Sequence, residues 1–451
     1  MKYLFLILAL FLFIPGFSIA KNDSDPELPG KFIELLISSD TDKIKALSYI
    51  EKNWQPTFAI MMLETIYLSK DPSFTVEYIK LLEEKTGQGF GFNIDDWYQW
   101  IWSRDYLVNP NYADFKSLLY SLIDIRFAEY FSSSLPSKVR LDEVRWGGVK
   151  QDGIPPLRNP KMIFSGEADY LEDNNIVFGV EVNGDARAYP KRILGWHEMF
   201  VDTVGDVPVA GVYCTLCGSM VLYHTEIDGI NHELGTSGFL YRSNKLMYDK
   251  QTQSLWNTLW GRPVIGRLAD DNIELERMSV VTTTWREWKK RHPDTKVLSL
   301  DTGYTRNYDE GAAYKEYFAT DDLMFIVPKL DKRLKNKDEV LGLIFSQYPN
   351  MPLAISARFL SKRRLYQDKI DNMTFVVVTD RSGASRVYES KDIKFIDWDQ
   401  KNTVIDSNGK KWILSETRLQ SPEGDELFRL PAHKAFWFGW FSAYSNTRLV
   451  H

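Results

Sequence analysis

Disulfides cannot hold this chain together, because its 451 residues contain only two cysteines, Cys214 and Cys217. Nor is the chain basic: 55 Lys and Arg stand against 61 Asp and Glu, a formal net charge of −6, and the basic residues near 329–337 are interleaved with acids. Phosphate contact needs a clustered basic surface, so nucleic acid is excluded as a general partner. There is no GxxxxGK phosphate loop, no HExxH helix and no GxSxG elbow, which removes the common nucleotide, zinc-protease and serine-hydrolase signatures. No apolar run after the first twenty residues is long enough to span a bilayer. What remains is ample core material, with 44% hydrophobic and 14% aromatic residues, enough for two or three domains.

Lys2 precedes an apolar run from Tyr3 to Ile14, which Pro15 and Gly16 end before Ser18-Ile19-Ala20. That order reads as a secretory signal peptide over residues 1–20, cleaved after Ala20. It predicts an exported product, periplasmic or extracellular, with no transmembrane anchor after cleavage. Residues 21–135 show apolar positions at helical spacing, such as Phe32, Leu35 and Leu36, then Ile60, Leu63, Ile66 and Tyr67. Asp40-Thr41-Asp42 and Asp71-Pro72-Ser73 read as helix starts. An α-helical, possibly solenoid-like module follows, acidic enough to suggest a protein partner, although a solvated outer face explains the acids better.

Residues 136–451 change to short β-rich runs separated by Gly, Asn and Asp turns. Ile176–Val182 and Asp185–Tyr189 flank Asn183-Gly184, whose residues accept the positive φ of a tight hairpin turn. Further strands are expected at Val207–Tyr213, Ser219–His224, Asn231–Gly235, Met373–Val378, Ser385–Tyr388, Lys394–Asp397 and Lys411–Leu414, with a helix at Thr284–Arg291. The fold class is therefore α+β: a helical module followed by a large mainly-β domain, sandwich or barrel-like.

Cys214-Thr215-Leu216-Cys217-Gly218 is the sharpest chemical feature. A CxxC pair lets two sulfurs share one metal ion or bond to each other. Strand on both sides resembles the knuckle of rubredoxins and zinc ribbons more than a thioredoxin helix start, and such a site needs further ligands. His197, Glu198, His224 and His232 are the nearest candidates, and thiolate with imidazole suits Zn or Cu. A redox dithiol and a structural disulfide or packing thiols remain open. His197, in Trp196-His197-Glu198, follows a helix-like stretch at Pro190–Leu194 and is read as ligand, as proton-transfer group for a redox pair, or as a satisfied structural histidine. Arg187 and Tyr189 are candidates to bind an anion or cofactor, or to form an internal ion pair; His224 and His232 are expected at the surface.

Arg187-Ala-Tyr-Pro190, Trp196-His197-Glu198, Tyr213-Cys214-Thr-Leu-Cys217-Gly218, Ser237-Gly238, Met247-Tyr248-Asp249, Thr252-Gln-Ser254-Leu-Trp256 and Phe436-Trp437-Phe438 occur in an order that resembles the domain-of-unknown-function 3179 family, over about residues 140–446. Thr215 stands where that pattern usually has Pro. The resemblance implies one domain type for the β-rich region and no activity or cofactor; it favours Cys214, Cys217 and His197 over His224 and His232. Metal binding by Cys214, Cys217 and His197, with Glu198 orienting or ligating, is the first functional expectation. A thiol–disulfide oxidoreductase using Cys214, Cys217 and His197 is the second, and a non-catalytic envelope adaptor the third.

Overall fold

The computed structural model describes residues 25–451, so the signal-peptide expectation for 1–20 lies outside the described residues. Six α-helices come first: Leu28–Ile37, Asp40–Lys52, Phe58–Leu68, Pro72–Thr86, Ile94–Trp102 and Tyr112–Ser121. Asp71 caps its helix as expected, accepting from the amides of Ser73 and Phe74, with Pro72 in the first turn. The preceding cap is Ser39, one residue ahead of the expected Asp40. Phe58 to Ile66 are buried without a break. Helices surround this segment, a bundle about a central helix rather than a stack of repeats.

The helices share their core with a five-stranded sheet ordered Val144–Trp146, Leu234–Tyr241, Asn244–Asp249, Leu255–Asn257 and Arg262–Ile265. Phe239 from that sheet sits in a cage of Tyr120, Phe127, Tyr130 and Phe131, with ring centroids 4.9 to 5.9 Å away. Such edge-on pairs add roughly 0.5–1.5 kcal/mol each beyond the area they bury.

The β-rich remainder is built twice. In the first copy, strand Ile176–Val182 pairs antiparallel with Val281–Thr284 on one side and Asp185–Pro190 on the other, and the latter pairs parallel with Lys296–Leu298. In the second, Glu339–Leu343 pairs antiparallel with His433–Phe436 and Leu353–Ser356, and the latter pairs parallel with Arg448–Val450. Each copy lays one short helix, Trp285–Arg291 or Trp437–Ala443, over a glycine of its first strand. A Cβ on Gly179 would stand 2.2 Å from the Trp288 ring, and one on Gly342 2.2 Å from Trp440. Both indoles donate to a threonine seven residues on, Trp288 to Thr295 and Trp440 to Thr447, each at 2.9 Å. Gly342→Ala should therefore cost about 1–3 kcal/mol by overpacking, read as a lower urea midpoint with unchanged slope.

Between the halves of each copy lies an insert, and the inserts also correspond. Their first three strands start at 199, 207 and 219 in one and at 365, 373 and 385 in the other, a constant offset of 166. In the second copy the insert is an eight-stranded, nearly closed barrel, Leu365–Ile370 at one edge and Phe395–Trp398 at the other. Gln367 bridges those edges, donating to Ile393 O at 2.7 Å and accepting from Phe395 N at 2.8 Å. In the first copy the same strands are split into two sheets. The expected strand Asn231–Gly235 is broken there into Ile230–Asn231 and Leu234–Tyr241. Among the described residues no helix is long and apolar enough to cross a membrane.

Candidate functional site

Cys214 ends strand Val207–Cys214 opposite Ser219, so the CxxCG segment is the turn of a hairpin, with strand on both flanks as expected. Gly218 turns with φ +57°, and the Phe436 ring lies 2.9 Å from where its Cβ would be. Gly439 packs on the other side, its absent Cβ leaving room for the Cys217 side chain at 2.9 to 3.1 Å. Phe436 N–H donates to Cys217 O at 2.7 Å, and Tyr317 O–H to Leu216 O at 2.7 Å. The second copy's helix thus clamps the first copy's turn.

Above the sulfurs sits a second hairpin turn, Arg242-Ser243, with φ of +49° and +63°. Cys217 Sγ lies 3.5 Å from Ser243 O and 3.4 Å from the donating Asn244 amide. The sulfurs are within hydrogen-bonding reach of each other and unbonded, both buried. Burial pushes both thiols up. For Cys214 this, together with the raising effect of the Glu198 charge, is outweighed by the hydrogen bond from Cys217, the Lys245 backbone N–H and the Lys245 ammonium, so its pKa falls below the ordinary thiol value. For Cys217, burial and the bond and charge of Cys214 raise the pKa well above the ordinary thiol value, against a smaller lowering by the donating Asn244 amide. The two sulfurs are therefore unlike, Cys214 being the easier of the two to ionise.

Cys214, but not Cys217, borders a cavity of about 60 Å³ lined also by Glu198, Lys245, Tyr314, Phe239 and Phe325. Lys245 Nζ is 2.5 Å from Glu198 Oε2, both side chains buried, and Tyr314 O–H donates to Glu198 Oε1 at 3.1 Å. Burial, with the Glu198 charge beside it, pushes the Tyr314 phenol up, so it remains a donor. Glu198 follows helix Lys191–His197 in the left-handed region, φ +55°, where glycine or asparagine usually stands. Holding a glutamate there costs strain of order 1 kcal/mol and aims its carboxylate at Lys245.

His197 is not part of this cavity. The helix runs three residues beyond the expected Leu194 and ends on this histidine. Its Nδ1–H donates to Pro155 O at 2.8 Å, and its Nε2 accepts from Tyr308 O–H at 2.6 Å. Both ring nitrogens are engaged, and burial lowers its pKa, so it is neutral and structural. These contacts give no support to the expected role of His197 as metal ligand or proton-transfer group beside Cys214 and Cys217. Among the described residues no three His, Cys, Asp or Glu side chains are grouped as metal ligands. Glu198 does reach the cysteine, but its carboxylate is taken up by an ammonium and a phenol.

Arg187 and Tyr189, the anion or cofactor candidates, are tied inward instead. Arg187 binds Asp185 and Asp202, and Tyr189 O–H donates to Asp202, all at 2.7 Å. His224 is half-buried, 3.7 Å from Glu276. His232, expected at the surface, is buried against Asp249 at 2.8 Å, because the broken strand turns it inward.

A profile of the DUF3179 family, described as a protein of unknown function, matches residues 151–447. The chain belongs to the DUF3179 family. No curated protein matches it. Among solved structures, the quaternary ammonium Rieske monooxygenase CntA, crystallised with an inhibitor, is similar at 10% identity over 62% of this chain and 69% of that one, with a TM-score of 0.14.

The DUF3179 motifs divide into scaffold and site. Asp249 caps its own turn, accepting from the amides of Gln251 and Thr252, and Ser254 Oγ accepts from Leu268 N. Ser237 bridges its strand pair through Leu246 O, and Gly238 passes 2.5 Å, at its absent Cβ, from Val149 O. Trp196-His197-Glu198 anchors with the histidine and delivers the glutamate. Sequence reasoning missed Lys245, Asn244 and Tyr314: a lysine opening a strand reads as solvent-facing, and only the pairing of two distant hairpins turns it inward.

Proposed function

We propose that this DUF3179 protein is an oxidoreductase whose working group is the Cys214–Cys217 dithiol. Cys214 serves as the thiolate and Cys217 as the resolving thiol. On oxidation the pair loses two electrons and the Cys217 proton and forms one S–S bond. The observation that carries this reading is the asymmetry of the pair: Cys214 stands at a cavity wall beside the Lys245 ammonium with its pKa lowered, and Cys217 is sealed behind it with its pKa raised.

The duplicated fold supports it independently. The equivalent turn of the second copy, Asp380–Ala384, has no cysteine. There Asp380 Oδ1 holds the turn by accepting from the amides of Ser382 and Ala384 at 2.9 and 3.1 Å. A carboxylate closes this turn as well as two thiols do, so the scaffold does not call for sulfur. The Lys245–Glu198 pair stands against a cation at the same point, since an ammonium already neutralises the carboxylate.

Thiol counting by mass spectrometry on the reduced chain, after a mild oxidant and again after dithiothreitol, tests this. Two thiols should disappear together into an intramolecular bond and return, with the far-ultraviolet spectrum unchanged. Cys217→Ser should leave Cys214 forming adducts that persist. A folded chain that never forms the bond removes the proposal.

A further inference from the structure

The cavity against Cys214 says what kind of oxidant the pair can meet. Its volume of about 60 Å³ holds roughly two to four waters, or a molecule of a few heavy atoms. Cys214 is 2% exposed and Cys217 not at all. A protein disulfide or a peptide-sized disulfide cannot bring a sulfur into line with the Cys214 sulfur without dismantling the wall formed by Phe239, Leu240 and Phe325. A two-electron oxidant of two heavy atoms fits as the structure stands. The polar end of the cavity is one ammonium, one carboxylate and one phenol; apart from Thr236 and the Cys214 sulfur the remaining lining is apolar.

Resting on the dithiol reading above, we propose that the substrate class of this site is small hydroperoxides, with hydrogen peroxide the best fit. The Cys214 thiolate attacks the outer oxygen of ROOH. The S–O bond forms as the O–O bond breaks, leaving a sulfenic acid, Cys214–SOH, and an alkoxide or hydroxide. That leaving group takes a proton from the Lys245 ammonium, which Glu198 holds within reach, and departs as ROH or water; solvent later restores the lysine proton. Cys217 sulfur then attacks the sulfenic sulfur. Its proton leaves with the hydroxyl as water, and the S–S bond closes. The pair has lost two electrons, and the peroxide has gained them.

The second copy marks which parts are specific to this chemistry. At the positions of Cys214 and Glu198 it carries Asp380 and Arg364, while the backbone bond between the two segments is the same: Tyr213 N to Glu198 O and Thr379 N to Arg364 O, both 2.8 Å. The frame is shared, and the thiolate and the carboxylate beside the lysine belong to one copy only.

The test uses the reduced full chain in single turnover against hydrogen peroxide, cumene hydroperoxide and oxidised glutathione, with thiol loss read by quenched mass spectrometry. Hydrogen peroxide should oxidise the pair at least about 100-fold faster than it oxidises free cysteine at the same pH, and cumene hydroperoxide at least about 10-fold more slowly than hydrogen peroxide. Oxidised glutathione should not react in that window. In Cys217→Ser, dimedone should trap Cys214 as its sulfenic acid. A hydrogen peroxide rate no faster than free cysteine, or glutathione disulfide reacting as fast as peroxide, overturns the substrate class while leaving the dithiol intact. Failure of every oxidant to close the Cys214–Cys217 bond overturns the dithiol reading itself.

Discussion

Lys116→Met should unfold the chain at far lower urea than the wild type, a loss of about 3–5 kcal/mol. Lys116 Nζ lies 2.6 Å from Glu64 Oε1 and 2.9 Å from Val144 O, and neither Lys116 nor Glu64 has any exposed side-chain surface. Three aromatic rings, Tyr112, Tyr120 and Phe131, face the ammonium within 5.5 Å. Burial raises the Glu64 pKa and lowers that of Lys116, each against the pull of its partner. The pair is thus costly to bury and still more costly to break, since losing the ammonium would leave Glu64 with only the Tyr112 hydroxyl, at 3.1 Å. The bond to Val144 O also ties the helices to the first strand of the sheet they cover. Glu64→Leu with Lys116→Met should recover most of the loss, because two apolar side chains of similar size need no compensation. Urea unfolding of the wild type, the single variant and the double variant reads both effects. A single-variant loss under about 1 kcal/mol contradicts the assignment of this pair as a buried lock.

Hairpins were the most legible part of the sequence. Asn183-Gly184 turns with φ of +49° and +81°, and strand Ser219–His224 has the bounds its alternation predicts. These features depend on neighbouring residues alone. The duplication depends on very few: the Trp-x-x-Trp spacing at 285–288 and 437–440, a threonine seven residues after the second tryptophan, and one glycine facing it. Around them the side chains differ in charge and size, so the repeat is carried by topology rather than by sequence. The same limit governed the site. CxxC announced itself because both sulfurs lie within four residues, whereas Glu198 comes beside Cys214 through the Tyr213 N to Glu198 O bond of a strand pair, and Lys245 only where one hairpin turn stacks on another. The sequence reading puts His197 first and Glu198 in support, yet adjacent side chains at a helix end point apart, and nothing in the dipeptide says which one lines the cavity at Cys214.

Between pH 7 and pH 4 the wild type should lose about 3 kcal/mol of stability that a His433→Leu variant does not lose. His433 is buried beside Trp440, 5.6 Å between ring centroids, and its Nε2 has no hydrogen-bond partner. Burial, aided by the Arg277 charge, drops its pKa from 6.5 to about 3. The unfolded chain therefore takes up a proton as pH falls through 6.5, while the folded chain refuses it until about 3. Stability from neutral His433 is complete above pH 6.5 and declines by about 1.4 kcal/mol per pH unit below it, levelling near the folded pKa. His197 titrates in the same sense, but it is present in both proteins and cancels from the difference. The first copy carries Val281 at the equivalent strand start, so an apolar residue suits the position, and the variant should stay within about 1.5 kcal/mol of wild type at pH 7. Urea titrations of both proteins at half-unit steps decide it: parallel pH profiles would mean that His433 accepts its proton in the folded state, and that the strand opens to water where the structure closes it.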